Sequence, residues 1–149
     1  MTNDTYLKTT INKSRIGRLA TVDLECKPHV IPVVFVFDND RNCYFIPIDE
    51  KTKRSRPENL KRIKNIQENP NVALLLDEYN EDWTKLYFIM IRGKGSILGG
   101  KKLEQNEMPL LEKAHKLLRN KYPQYQKISV GKYLIMIMPQ KVIAWKNNG

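Results

Sequence analysis

The sequence predicts a single mainly antiparallel β-barrel with helices packed against its outside. Three observations carry this. Short apolar runs rich in β-branched and aromatic residues follow one another closely, separated by turn residues. Two longer amphipathic stretches of helical period interrupt them. Repeats, low-complexity tracts and Gly/Ser linkers are absent from the 149 residues, so the whole chain, 1–149, reads as one domain.

Taken in order, residues 4–13 predict a short leading helix. "RIGRLATV" (15–22) enters a strand, and "PHVIPVVFVFD" (28–38) is the clearest strand, ending in the turn "DNDRN". "CYFIPID" (43–49) follows, so 28–38 and 43–49 should pair as an antiparallel hairpin. Ser55 and Glu58 have capping-box spacing around Pro57, and Leu60, Ile63 and Ile66 line one face, which predicts a helix ending at Asn69-Pro70. "NVALLLDEY" (71–79) and "KLYFIMIRGKGSIL" (85–98) are strands, the second bent or bulged at Gly93 and Gly95. A second helix fits about 101–121, best from Pro109 onward, with Leu110, Leu111, Ala114, Leu117 and Leu118 on one stripe. "KYLIMIMP" (132–139) and "KVIAW" (141–145) close the chain as strands, about six in all.

From Val33 to Phe37 every residue is apolar, whereas a strand with one wet face should alternate. A second buried face needs a cover, which a helix, a flat ligand or a second subunit supplies. A homodimer packed barrel against barrel would do so.

Charge narrows the partners. The chain carries a formal net charge of +10 and a pI near 9.6, which favours anions. Half of that charge falls in residues 50–64, where Lys51, Lys53, Arg54, Arg56, Lys61, Arg62 and Lys64 face only Glu50 and Glu58. The cluster follows a strand and precedes a helix N-terminus, where backbone N–H groups attract phosphate. A solvated basic turn is the plain alternative. Single-strand nucleic-acid binding is disfavoured, because no aromatics interleave with the basic run. No apolar stretch reaches the ~18 residues of a membrane helix. Cys26 and Cys43 form no motif and read as reduced thiols in a cytoplasmic protein, with a bridge between them left open. His29 and His115 have no metal-spaced partner, so no metal site is expected. Pro32 and Pro47 each remove a ladder donor, which places irregular backbone at neighbouring points of one hairpin, either to meet a polar heterocycle or simply to guard an edge. "DEYNEDW" (77–83) is an acidic, aromatic loop or a lid.

Across nearly the whole chain, "RIGRLATVDLECKPHVIPVVFVFD", "YFIPIDEKTKR", "LKRIKNIQENPNVALLLDEYNEDW", "IMIRGKG" and "PQKVIAW" resemble, in order, the split-barrel flavin-binding superfamily of pyridoxamine 5'-phosphate oxidase. The nearest resemblance is to its subgroup using the deazaflavin coenzyme F-420. The resemblance implies a six-stranded split barrel, a homodimer, and a cofactor, F-420 or FMN, in the dimer interface. It implies an oxidoreductase that moves a hydride through that cofactor to a small-molecule substrate. Lys51, Lys53 and Arg54 would grip the cofactor phosphate. Pro32, Val33 and Val34, with Ile46, Pro47, Ile48 and Asp49, would flank the ring. Trp145 would frame the pocket from the partner subunit, with Tyr79 and Trp83 as looser contacts across the dimer. Lys61 and Lys64, one turn apart, would track the acidic tail that F-420 carries and FMN lacks. The vitamin-salvage oxidase itself does not fit: Ile31, Pro32 and Val33 stand where it has an arginine, and Phe88 where it has a glutamine. No residue reads as the catalytic acid, His29 and Tyr79 being guesses. A flavin-binding protein without catalysis and a nucleic-acid module are the alternatives.

Overall fold

The computed structural model describes residues 4–49, 60–100 and 105–147. The elements run α1 (Asp4–Lys13), β1 (Gly17–Val22), β2 (Pro28–Val33), β3 (Val36–Asp38), β4 (Cys43–Pro47), α2 (Lys61–Glu68), β5 (Asn71–Glu78), β6 (Tyr87–Gly99), α3 (Met108–Lys121) and β7 (Tyr133–Lys146). All strands join one antiparallel sheet in the order β2-β1-β5-β6-β7-β4-β3.

The predicted strand 28–38 is two strands. Its first half pairs with β1 and its second with β4, at opposite edges of the sheet. The step from one edge to the other is made by Val34 and Phe35, which belong to neither ladder. The sheet therefore curls until its edges are joined by continuous chain and not by a hydrogen-bonded ladder. This is a split barrel, six-stranded when β2 and β3 count as one broken strand. The backbone freed at the break is satisfied by side chains: the Tyr122 hydroxyl accepts from the Phe35 amide at 3.2 Å, and Lys121 Nζ donates to the Phe35 carbonyl at 3.0 Å.

The two runs predicted at 132–139 and 141–145 are one long strand. Its register against β6 shifts between Arg92 and Gly93, with Gln140 the extra residue. Gly93 is required there, because a Cβ would stand 2.2 Å from the Met138 carbonyl oxygen.

Inside the barrel, Leu19, Phe35, Ile46, Ile48, Leu74 and Ile91 are fully buried. Each such side chain contributes about 1.5–3 kcal/mol relative to exposure. Ile63 and Ile66 of α2 join this interior cluster, and Leu60 packs against it, as the helical stripe predicts. The described helix starts later than expected, from an extended Leu60 with no side-chain cap, while the Ser55–Glu58 box lies outside the described residues. α3 begins at Met108, one residue before Pro109.

α3 also corrects an inference. The second buried face of residues 33–37 is covered within the monomer: Val36 packs with Phe45, Leu134, Ala114 and Leu118. That strand by itself therefore calls for no partner. Cys26 is exposed and Cys43 buried, and both are free thiols. Burial, with Asp38 nearby, pushes the Cys43 thiol up to about 11. Among the described residues no helix is long and apolar enough to cross a membrane.

Candidate functional site

β4 ends at a cleft. After Ile48, whose amide donates to the Tyr133 carbonyl at 3.2 Å, the chain reaches Asp49. There the Tyr125 hydroxyl donates to Asp49 Oδ1 at 2.9 Å. Tyr125 stands in the 3-10 turn Pro123–Gln126 that follows α3, edge-on to Tyr122 at 6.3 Å between ring centroids. Val34, Asp49, Tyr122, Tyr125 and Ile128 help line a cavity of about 170 Å³. Burial, then the bond to Asp49, raises the Tyr125 phenol above its ordinary range, so it remains a proton donor to the carboxylate at neutral pH. Arg62, in the first turn of α2, feels the Asp49 charge, which opposes the lowering that burial imposes on its guanidinium. Its Nε is buried without a hydrogen-bond partner among the described residues.

Of the expected site residues, Val34 and Asp49 share this cleft. Lys51, Lys53 and Arg54 lie outside the described residues. Val33, Ile46 and Ile48 turn their side chains into the barrel interior, so only their backbone remains for a ligand. Pro47 is buried opposite Leu134 in the ladder, and Pro32 is exposed on the β2 edge opposite Arg18. The β3 ladder on β4 ends at Val36–Phe45, so Ile46 and Pro47 have no ladder partner on that side.

Trp145, Tyr79 and Trp83 sit elsewhere. Trp145 is directly across from Phe88, their rings stacked at 6.0 Å. The Trp83 indole donates to the Tyr79 hydroxyl at 3.4 Å, and that hydroxyl donates to Glu81 at 3.3 Å. Neighbouring strands lie about 4.8 Å apart, so β2 and β7, four places apart in the order, are separated by about 19 Å along the sheet. Of the two guessed acids, His29 lies opposite Thr21 on β2, and Tyr79 already spends its proton on Glu81.

The register shows a bare face. Directly paired residues share a face, so Leu75, Met90 and Ile143 form one cross-strand row beside Arg18 and Pro32. The next row runs Val30, Ala20, Ala73, Arg92 and Lys141. α3 covers only the other half of the barrel's outside, against β3, β4 and the start of β7. Val30 and Trp145 are accordingly exposed. Arg92 and Lys141 stand directly opposite each other, an unfavourable like-charge pair.

Lys61 Nζ lies 3.4 Å from Asp23 Oδ2, an exposed pair that competes with any anion there. Lys64 remains exposed on the same helix. The residues that sequence reasoning missed are Tyr122, Tyr125 and Ile128, just after α3, and Arg62 as a cleft neighbour distinct from the outer lysines. "YPQY" offered spacing but no recognisable motif.

Residues 4–146 match the family described as pyridoxamine 5'-phosphate oxidase. No curated protein matches the chain in sequence. Solved structures share the fold. A conserved hypothetical protein from Mycobacterium tuberculosis superposes with a TM-score of 0.75 at 15% identity, covering 99% of this chain and 86% of that one. A FAD-binding protein from Mesorhizobium loti gives 0.68 at 15% identity over 96% and 94%. The heme storage protein of Vibrio cholerae gives 0.65 at 15% identity over 98% and 95%.

Proposed function

This chain belongs to the pyridoxamine 5'-phosphate oxidase family, and from that premise we propose that it is a flavin-dependent oxidoreductase acting as a homodimer, with FMN or the deazaflavin F-420 held between two copies and a small-molecule substrate. The observation that carries the reading is the placement of Asp49. Tyr125 holds it at the lip of an aromatic-walled cleft, and the chain runs from it directly into Lys51, Lys53 and Arg54.

The donor set fits such a cofactor. Cations 51–54 suit its phosphate by charge-assisted bonds. Val34, Tyr122 and Ile128 offer apolar and aromatic surface to a flat ring. The buried Nε of Arg62, without a partner among the described residues, is a further donor that feels the Asp49 charge. A bound flavin supplies hydride acceptance and donation. The chain's own residues bind and orient it, and the barrel interior excludes water from the backbone beside it.

The second copy belongs on the bare sheet face. Its central row is apolar, with Arg92 and Lys141 on one side and Asp77 on the other. A two-fold axis through that row would set each basic end against the partner's acidic end and bury the exposed Val30 and Trp145. It would also carry Trp145 toward the other subunit's cleft. Because Asp23 competes for Lys61, any preference for F-420 rests mainly on Lys64, Arg56 and Arg62.

The test is paired titration of the purified protein with FMN, F-420 and heme, followed by visible absorbance. Flavin or deazaflavin binding, weakened roughly ten- to hundred-fold by charge reversal at Lys53 or Arg54 but not at Lys101 or Lys102, supports the reading. Heme binding alone, or equal effects at both lysine pairs, refutes it.

A further inference from the structure

A larger cavity, about 420 Å³, opens where the end of α1 meets the end of β5 and the start of β6. That volume is in the range of small-molecule sites. Its walls include two aromatic rings, Tyr6 and Tyr87, and four charges, Lys13, Arg15, Asp77 and Glu78.

Two of the charges are already engaged. Arg15 donates to the Lys121 carbonyl at 2.9 Å, and Asp77 accepts from Arg18 at 2.7 Å. Lys13 and Glu78 are not: neither enters an ion pair among the described residues, with each other or with any other side chain. One cavity thus presents an unpaired ammonium, an unpaired carboxylate and two phenol rings. A purely anionic ligand would meet Glu78 unfavourably, and a purely cationic one would meet Lys13.

We propose that this cavity binds a small aromatic zwitterion, its carboxylate on Lys13, its ammonium on Glu78 and its ring against Tyr6 and Tyr87. The charges are exposed, so affinity is modest, in the millimolar to high-micromolar range. One contact links the cavity to the Asp49 cleft. Arg15 lines the larger cavity, and its guanidinium carbon lies 4.7 Å above the ring of Tyr122, which lines the smaller. A molecule held here sits one residue pair from the proposed cofactor position.

The experiment uses the full chain without added flavin, so its outcome is independent of the cofactor reading. Saturation-transfer NMR measures L-phenylalanine, phenethylamine and 3-phenylpropionate against wild type, Lys13→Met, Glu78→Gln and the distant control Lys116→Ala. The expected result is saturable phenylalanine binding, with each one-charge analogue at least about fivefold weaker. Lys13→Met should reduce phenylalanine to the level of phenethylamine, Glu78→Gln to that of phenylpropionate, and Lys116→Ala should change nothing. Both substituted positions are exposed, and circular dichroism checks that the variants fold as wild type. Absence of saturable binding, equal binding of all three compounds, or indifference to both substitutions overturns the proposal.

Discussion

The Tyr122 hydroxyl stands 3.2 Å from the Phe35 amide, 3.0 Å from the Phe35 carbonyl and 2.8 Å from the Arg15 carbonyl. One side-chain oxygen thus replaces the ladder that the chain abandons between β2 and β3. Lys121 adds a second donor to the Phe35 carbonyl and lies 3.9 Å above the Phe35 ring. The split in the barrel and the lining of the Asp49 cleft depend on the same tyrosine.

Tyr122→Phe should therefore destabilise the fold by about 1–3 kcal/mol, because the buried Phe35 amide loses its acceptor. Urea unfolding should show a lower midpoint with unchanged slope. A shift worth less than about 0.5 kcal/mol would mean that the break is held by packing and not by this bond.

Lys121 gives a pH signature. Burial, with the Arg15 charge adding to it, lowers its ammonium from 10.5 to about 8. Between those values the unfolded chain binds the proton that the folded chain has released, so stability should rise as pH goes from 8 toward 10.5. Below pH 8 both states are protonated and this contribution is flat. Lys121→Met should lack the rise, and the test is the difference between the two stability profiles across pH 7.5 to 10. Parallel profiles would show that Lys121 titrates normally.

Gly93→Ala and Gly95→Ala should separate sharply. The added Cβ at Gly93 meets the Met138 carbonyl oxygen at 2.2 Å, backbone that is locked in the bulge. At Gly95 the nearest atom is the Val72 Cγ1 at 3.1 Å, a side chain that can yield. The first substitution should cost roughly 2 kcal/mol or more, and the second clearly less. Similar melting temperatures for the two variants would count against a rigid bulge.

Met90→Glu tests the bare face. Met90 lies in its central row, between Leu75 and Ile143. A carboxylate there faces solvent in a monomer but is buried against a second copy, where an unpaired charge is expensive. Sedimentation equilibrium should show a wild-type dimer and a folded monomeric variant. A monomeric wild type would remove the shared cofactor site along with the interface.

Much of the architecture was legible because it rests on local pattern. Leu60, Ile63 and Ile66 recur at helical spacing and do pack together. The glycines near residue 93 foretold the bulge because only a missing side chain admits that approach. The apolar block Val33–Phe37 was read correctly as buried on both faces. Its cover stayed open between a helix, a flat ligand and a second subunit, because nothing local says that a helix some eighty residues later, through Ala114 and Leu118, will lie on it. The candidate site was less legible. Val34 and Asp49 were named, whereas Tyr122 and Tyr125 were not, because their roles come from contacts across more than seventy residues of chain.

By itself, then, the amino-acid order determined the strand and helix content, the position of the cationic run after β4 and the glycine bulge, since side-chain periodicity and backbone freedom act within a few residues. Only the tertiary structure decided that residues 28–38 break at Val34–Phe35, that Lys61 lies against Asp23, and that no described helix covers the outer face of β1, β5 and β6. Those outcomes depend on which distant groups meet. A freed amide at Phe35 is tolerable only because the Tyr122 hydroxyl arrives to accept its hydrogen bond.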